Sequence, residues 1–297
     1  MANTLSVSGL TSFIDEKRDE LFVKSVAGAK TLDYVEIYPG VKYKTALNYL
    51  DSTVVLADGS NCGWNPQGSD VFSERMLEVH PITVQKEYCW KSMREKFMNW
   101  DLAFQAGREN LPFMEKIANA NVDAVKVAVD ELLWQGNSGL SISGYTDLIS
   151  AETSAVKVEF ATGATVVAKI DAVVAAIPVA ALRKGVNIFL SYTDFRNYIA
   201  ELNSTCCASR PIIDAAVDSL TYLGDSRIKL VPVIGLEGTG KIVAASVDAL
   251  VAGMDLTKDS PEAYKWFYLD KEDTFNFKIL FELGTQIKWP NEVVLGA

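Results

Sequence analysis

Apolar and polar residues alternate with two different periods along this chain, and the longest helical pattern runs from residue 109 to 134. A helix of about 26 residues is roughly 39 Å long. Acidic, amide and basic side chains recur at steps of three and four on one face. The opposite face is apolar and comprises Met114, Ala118, Val122, Val125, Val129 and Leu132. We expect the apolar face to pack on the body of the protein and the polar face to meet water or another subunit.

An extended, strand-like pattern precedes the long helix, over residues 34 to 88. Two alternating arms flank a tip rich in Gly, Asn and Pro, and Leu77 and Val79 alternate with polar residues in the return arm. Pro81 marks an edge or a bulge, because proline cannot donate a ladder hydrogen bond. Arms of about 16 residues make a hairpin about 50 Å long, whereas a compact domain of this length has a radius of gyration of about 19 Å. The sequence therefore predicts a hairpin that overhangs its own domain and is covered by a neighbouring copy.

The rest of the sequence predicts a charged helix at 11 to 27, an alternating α/β stretch at 161 to 250, and a β-rich C-terminus. In the α/β stretch, GATVVAKIDAVVAAIPVAALRKG and YTDFRNYIAELNS are typical of helices, the second capped near Thr193 or Asp194. VNIFLS and RIKLVPVIGL are typical of buried strands. A strand with one buried face is indicated by the alternating residues Phe275, Phe277, Ile279, Phe281 and Leu283. We expect an α+β protein without repeats and without a linker that divides the chain.

Composition and charge narrow the classes of function. The 297 residues are 49% hydrophobic, which is enough for a sizeable core, and 28 basic against 38 acidic residues give a net charge of −10. This balance argues against a protein that grips nucleic acid, because phosphate binding needs clustered Lys and Arg. The four cysteines lack disulfide or metal-ligand spacing and are expected as free thiols. We see no signal peptide and no bilayer-spanning apolar run, so we expect a soluble intracellular product without a membrane partner.

Motifs for catalysis or cofactor binding are weak. The run GLEGTGK (235–241) matches a phosphate-binding loop and follows a strand, but Ile242 stands where that loop has its magnesium-binding hydroxyl. The alternative is a glycine-rich hairpin turn in which Gly238 and Gly240 have positive φ. His80 is the only histidine, and one His with four Cys is a poor ligand set for zinc. We therefore assign no catalytic, cofactor-binding or metal-binding residue.

Carboxylates and aromatic residues leave two further alternatives open. Paired acids suited to glycoside hydrolysis are compatible with the sequence, although 38 acids make chance pairs frequent. Trp64, Trp266, Phe267 and Tyr268 have the chemistry to bind a sugar or a peptide. Such residues serve more often as core or interface anchors.

Several stretches, taken in order, resemble one family. They are EYCWKSMREKF, ENLPFMEKIANANVDAVKVAVDELLWQGN, GYTDLIS, VNIFLSYTDFRNYIAEL, VPVIGLEGTGKIVAASVDALVAGMDL and FELGTQIKWPNEVV. These stretches and the order of the predicted elements resemble the major capsid proteins of tailed double-stranded-DNA bacteriophages, the Hong Kong 97-type shell subunit. The resemblance covers essentially the whole chain.

The resemblance implies an α+β, Hong Kong 97-type capsid fold with four parts. Residues 1–33 would form an N-terminal arm and 34–88 an extended hairpin loop, each reaching another subunit. Residues 89–160 and 251–297 would form a peripheral domain with the long helix as its spine, and 161–250 an axial domain.

The function implied by the resemblance is that of a major capsid protein. It would assemble as pentamers and hexamers into the icosahedral phage head that encloses double-stranded DNA. Its partners would be copies of itself, a separate scaffolding protein and a portal, with DNA packaged without sequence-specific binding. It would be made in the bacterial host cytoplasm and located in the virion. Candidate inter-subunit contacts are apolar residues of the arm and the loop, namely Phe13, Leu21, Tyr43, Tyr49, Trp64, Phe72, Met76 and Val79.

Other functions stay open at this stage. One is a nanocompartment shell of the same fold, or another self-assembling phage structural protein such as a tail component. The other is a nucleotide-binding enzyme with a phosphate-binding loop, whose ATP binding would be lost on Lys241→Ala. Some relatives join subunits by Lys–Asn isopeptide bonds, and Lys42, Lys44 and Asn61 offer that chemistry without a specific reason to assign a bond.

Overall fold

Two β-sheets and one long helix organise the protein. The structure is a computed structural model, and it describes residues 20–21, 23–56, 68–89, 91–93, 95–96, 113–204, 219–222, 225–255 and 264–297. Within these residues the strands are β1 (Glu36–Pro39), β2 (Lys44–Val54), β3 (Gly68–Glu78), β4 (His80–Cys89), β5 (Gly136–Asn137), β6 (Ile142–Ser143), β7 (Val156–Val158), β8 (Val186–Leu190), β9 (Leu220–Thr221), β10 (Ile228–Pro232), β11 (Ile242–Ser246), β12 (Leu250–Asp255), β13 (Tyr264–Leu269), β14 (Thr274–Ile287) and β15 (Val293–Gly296). The helices of this part of the chain include α1 (Phe113–Gln135), α2 (Tyr145–Ala151), α3 (Val166–Ala176), α4 (Val179–Lys184) and α5 (Tyr192–Ser204).

The long helix α1 confirms the helical prediction over the part that is described. Ala118, Val122, Val125 and Val129 are buried as predicted. Leu133 is buried where the pattern had Leu132, and Asp130, an acidic residue of the predicted polar face, is also buried. Gly136, with a φ of 69°, ends the helix in the left-handed conformation that glycine adopts readily. Residues 109 to 112 and the side chain of Met114 lie outside the described part.

The first sheet is organised around β14. This strand pairs antiparallel with β12, β13 and β4, and β1 pairs parallel with β12. The alternating residues predicted for this strand are buried against α1: Phe275, Phe277, Ile279, Phe281 and Leu283. The prediction of a strand with one buried face is confirmed here.

The second sheet has the strand order β7-β15-β11-β8-β10-β9, with α3, α4 and α5 packed on it. The predicted strands VNIFLS and RIKLVPVIGL are β8 and β10. The single helix expected before them is broken at Pro178 into α3 and α4, since proline fixes φ and has no N–H to donate. The sheet also includes β7 and β15, which lie outside the predicted stretch of 161 to 250.

The N-terminal cap of α5 differs from the prediction. The N–H of Asp194 donates to Ser191 Oγ at 2.9 Å, and the hydroxyl of Ser191 donates to Asp194 Oδ2 at 2.8 Å. Ser191 is therefore the cap, rather than Thr193 or Asp194, because a capping side chain must lie before the first helical turn to accept from it.

The GLEGTGK run is neither of the two structures considered from the sequence. A strand, β11, follows it, whereas a phosphate-binding loop requires a helix at that place. Gly238 and Gly240 have the predicted positive φ, at 72° and 65°. The run is not a hairpin turn either, because β8 lies between β10 and β11 in the sheet.

The described pairing of the predicted hairpin covers 11 residues in each strand instead of about 16, and residues 57–67 lie outside the described part. β2 and β3 pair antiparallel over 11 residues each, from Lys44 opposite Glu78 to Val54 opposite Gly68. Strands of this length extend about 36 Å at about 3.3 Å per residue. The return arm leaves the hairpin at Val79 and continues as β4 in the first sheet, where Pro81 lies opposite Glu282 of β14. The predicted helix at 11 to 27 is seen at residues 20–21 and 23–26, where it is described.

Candidate assembly surface

The β2–β3 hairpin has two unlike faces. Cross-strand partners in an antiparallel pair point to the same side of the ribbon. Leu47 and Leu77 therefore share one face, here called the inner face, with Tyr49 and Arg75. The residues at alternate positions point to the opposite face, here called the outer face. They are Lys44, Ala46, Asn48, Leu50, Ser52, Val54, Gly68, Asp70, Phe72, Glu74, Met76 and Glu78.

The inner face anchors the base of the hairpin on the subunit. Leu47 and Leu77 are buried in a small cluster with Val41, Val79 and Val251. Nearly full burial of both leucines fixes the position of the base, since each contributes about 1.5–3 kcal/mol.

Two further contacts hold the inner face beyond this cluster. The ring of Tyr49 meets Trp289 edge-on, with ring centroids 4.9 Å apart. Arg75 forms an ion pair with Glu152, and the hydrogen bond between them raises the pKa of the Arg75 guanidinium. The hairpin therefore has a defined orientation on its own subunit.

The outer face exposes large apolar side chains among polar ones. Leu50 and Phe72 are cross-strand partners and are 47% and 81% exposed, and Val54 near the end of β2 is 77% exposed. The Lys44–Glu78 ion pair lies at the base of this face, and the hydroxyl of Ser52 donates to Asp70 at 2.5 Å near its end. Most exposed large hydrophobic side chains of the described part of the chain lie on or beside this hairpin. Contiguous exposed apolar patches are typical of surfaces that contact another molecule.

Some of the expected contact residues lie on or beside this surface. Tyr43, Phe72 and Met76 are exposed, with Phe72 and Met76 on the outer face and Tyr43 directly before β2. Phe13 and Trp64 lie outside the described residues. Whether the exposed three contact another subunit stays a prediction.

Three expected contact residues are instead occupied within the subunit. Leu21 and Val79 are buried, at 5% and 2% exposed, and Tyr49 packs on Trp289. Burial of Leu21 and Val79 within the subunit argues against a contact with a neighbour, and Tyr49 is half buried. Whether any of the three contacts another subunit stays a prediction. The sequence analysis also missed exposed apolar residues of the hairpin, namely Leu50, Val54, Val55, Leu56 and Val71. The consecutive apolar run VVL before the glycine-rich tip was the available signal.

A second surface feature is a groove of about 400 Å³ between α1 and β4. Ile82 and Val84 line it from β4, Val125 and Leu132 line it from α1, and Leu140 lines it as well. Polar residues, among them Glu131 and Gln135, share the lining.

Two general features complete the picture of the described residues. No helix among them combines the length and the apolar character that a membrane span requires. No group of three or more His, Cys, Asp or Glu side chains is arranged to hold a metal ion within the same residues.

The chain is similar to known proteins in structure, whereas comparisons of its sequence find no match. No protein-family model matches the chain, and no curated protein matches it. The subunit of the satellite phage P4 procapsid, in a structure that includes the size determination protein, superposes with a TM-score of 0.61 at 12% identity, covering 100% of this chain and 92% of that one. The capsid of a native GTA particle matches with a TM-score of 0.61 at 8% identity, covering 92% and 89%. A virus-like particle from Pyrococcus furiosus matches with a TM-score of 0.52 at 8% identity, covering 98% of each chain.

These matches define the class of fold. Identities this low show the fold alone, and the shared fold is that of shell-forming capsid subunits. The α+β, Hong Kong 97-type capsid fold implied by the sequence resemblance is confirmed. In particular, the chain has the fold of phage capsid proteins over nearly its whole length.

Proposed function

We propose that this chain is a major capsid protein that assembles as pentamers and hexamers into the icosahedral head of a tailed phage and encloses double-stranded DNA. The observation that carries the proposal is the outer face of the hairpin, where Leu50, Val54 and Phe72 are exposed on a subunit with a capsid fold. When a neighbouring subunit covers these side chains, their apolar surface is removed from water. This burial stabilises the contact by about 25 cal/mol per Å² of apolar surface. The hairpin of one subunit contacts a different surface on the next subunit, so the contact is heterologous. Such contacts generate rings or curved lattices when the rotation between adjacent subunits closes on itself.

The groove between α1 and β4 is our candidate for the surface that receives a neighbouring hairpin. Apolar residues of its lining, among them Ile82, Val84 and Leu132, match the exposed apolar side chains of the outer face. A single contact of this size is weak, but every subunit repeats it, so the closed shell gains stability by multivalency.

The four parts implied by the resemblance then receive these roles. The first sheet and α1 form the peripheral domain, and the second sheet with α3, α4 and α5 forms the axial domain near the centre of each ring. The β2–β3 hairpin is the extended loop, and residues 1–33 form the arm. β7 and β15 join the axial domain in this assignment, which extends it beyond residues 161–250.

Partners and location follow from the same proposal. A separate scaffolding protein directs the curvature of the shell, a portal occupies one vertex, and DNA is packaged without sequence-specific contacts. The net charge of −10 suits a wall that does not adhere to the packaged DNA. The subunit is made in the host cytoplasm and resides in the virion.

A nanocompartment shell is the second candidate, and the full-length match to the Pyrococcus furiosus virus-like particle favours it. The two functions differ in what the shell contains. Purified native particles with a single portal vertex and packaged DNA support the phage head. Particles without a portal that enclose a co-expressed protein support the nanocompartment.

Electron microscopy of the overexpressed protein tests assembly directly. We expect closed shells or rings of five and six subunits, and a large species by size-exclusion chromatography with light scattering. A protein that stays monomeric at high concentration, with and without a scaffolding protein from its own gene neighbourhood, contradicts the proposal.

A truncated hairpin tests the surface that carries the proposal. Replacing residues 50–72 by Asn-Gly joins Tyr49 to Ser73, which are cross-strand partners, through a two-residue turn of a favoured type. The buried base with Leu47 and Leu77 is retained. We expect a folded subunit with an unchanged circular dichroism spectrum that no longer forms shells. Shells of normal yield from this variant would exclude the hairpin as the assembly element.

A further inference from the structure

A buried carboxylate joins three segments that are distant in sequence. Asp130 on α1 is 2% exposed. Its Oδ1 accepts hydrogen bonds from the backbone N–H and the hydroxyl of Thr31, at 3.1 and 2.5 Å. Its Oδ2 accepts from the backbone N–H of Gly235, at 2.9 Å. Thr31 belongs to a 3-10 helix, Lys30–Tyr34, and Gly235 to a second one, Ile234–Leu236.

Neighbouring side chains of α1 complete the connections. The indole N–H of Trp134 donates to Thr31 Oγ1 at 2.7 Å, so that this hydroxyl both donates and accepts. The side-chain amide of Gln135 donates to the carbonyl of Gly235 at 2.8 Å, so both polar groups of that residue are bound to α1. A Cβ at Gly235 would lie 2.3 Å from the backbone oxygen of Asp130. The first glycine of the GLEGTGK run therefore allows the turn to touch the helix.

The chemistry of the cluster explains why a charge is used at this place. Within the described part of the chain no basic side chain pairs with Asp130, and its partners are neutral donors. Hydrogen bonds to an ionised acceptor are stronger than neutral ones. Loss of the acceptor would leave two buried backbone N–H groups without partners.

We propose that Asp130 is the centre of a rigid joint that makes residues 30–34, α1 and residues 234–236 move as one body. Residues 30–34 lie before β1 of the first sheet, and residues 234–236 lie between β10 and β11 of the second sheet. A displacement of residues 30–34 is then transmitted to the second sheet instead of being absorbed between them. The consequence for a shell rests on the proposed function, whereas the joint itself does not.

Hydrogen exchange measured by mass spectrometry tests the joint. Asp130→Asn keeps the size of the side chain but replaces one of the two carboxylate oxygens by an NH2 donor, so one of the two N–H groups bound by Asp130 loses its acceptor. We expect the amides of both 30–34 and 234–236 to exchange about ten-fold faster or more than in the wild type. Asp123→Asn is the matched control, because Asp123 lies on the same helix with an exposed carboxylate bonded to Lys126. We expect no change in either segment for this control.

A second variant keeps the test decisive if Asp130→Asn does not fold. Thr31→Val removes only the hydroxyl that links Asp130 and Trp134, and we expect faster exchange in both segments again. Faster exchange confined to residues 30–34, or in neither segment, overturns the joint. Wild type and variants are compared in the same assembly state, so the outcome does not depend on shell formation. Failure of the wild type to assemble would count against the proposed function alone.

Discussion

At the residue scale, Glu282 is an ionisable group whose surroundings oppose its charge. It lies on β14 opposite Asp255 of β12, and among the described residues its Oε2 is buried without a hydrogen-bond partner. Burial raises the pKa of Glu282 above its ordinary value of 4.5, the Asp255 carboxylate raises it further, and Lys42 lowers it. Because the pKa is higher in the folded state, this group favours folding below about 4.5 and loses that contribution as the pH rises through the folded value.

We therefore predict that Glu282→Gln is more stable than the wild type at pH 7. Glutamine removes the repulsion with Asp255 and can donate to it. The difference in Tm should shrink as the pH falls below about 4.5, where both proteins are neutral at this position. Thermal unfolding between pH 4 and pH 8 measures it, with Glu272→Gln on the exposed turn before β14 as the control. If the wild type and Glu282→Gln are equally stable at pH 7, the energetic cost of the charged Glu282 carboxylate is offset by other interactions, and the prediction is wrong.

At the element scale, we expect substitutions on the outer face of the hairpin to affect assembly without affecting the folding of the subunit. Phe72 is 81% exposed, so Phe72→Ser should change the free energy of unfolding little. Burial of a phenylalanine at an interface contributes about 1.5–3 kcal/mol, and the loss is repeated at every copy. We predict an unchanged Tm and a much reduced yield of shells, measured by thermal unfolding and by electron microscopy.

The control for Phe72 is its neighbour on the opposite face. Val71→Ser also removes an exposed apolar side chain from β3, but from the inner-face side of the ribbon. We expect this variant to form shells with nearly normal yield. Equal losses in the two variants would mean that the neighbour surrounds the hairpin instead of contacting one face.

The elements that the sequence predicted correctly are those specified by local periodicity. The apolar spacing from Ala118 to Val129 defines a helix face, and the alternation from Phe275 to Leu283 defines a strand face. In both cases the side chains that decide the element are neighbours in sequence. Pro178 broke a helix that the pattern extended, although its effect on φ and on hydrogen bonding is local and was available from the sequence.

The elements that were predicted wrongly depend on partners far along the chain. Residues 80–89 alternate as a hairpin arm would, but their partner is β14, about two hundred residues later. Tyr49 looked like an outward-facing aromatic until Trp289 was found against it. Periodicity in the sequence assigns a residue to one face of an element, but it does not identify the element or subunit that packs on that face. The division of the hairpin into an inner and an outer face therefore required the structure.

At the scale of the whole molecule, one core connects both sheets and leaves the hairpin end outside it. The larger apolar cluster contains Trp134 of α1, Phe281 of the first sheet, and Phe189 and Val293 of the second. Side chains packed in one core move little relative to one another. We therefore expect conformational changes during assembly to be concentrated in the outer half of the hairpin, while the body of the subunit, with residues 30–34, moves as a unit.

The charge of the whole molecule leads to a prediction about assembly in salt. Subunits with a net charge of −10 repel one another, and this repulsion is screened over about 10 Å at 0.1 M salt and about 3 Å at 1 M. The contacts proposed here are apolar, and salt does not weaken them. We predict that assembly of purified subunits, followed by light scattering, becomes faster and more complete as sodium chloride is raised from about 0.05 to 0.5 M. Phe72→Ser subunits should remain unassembled across this range, because screening lowers repulsion without restoring the lost apolar contact. Assembly that is suppressed by salt would instead indicate that complementary charges, and not the outer face, hold the shell together.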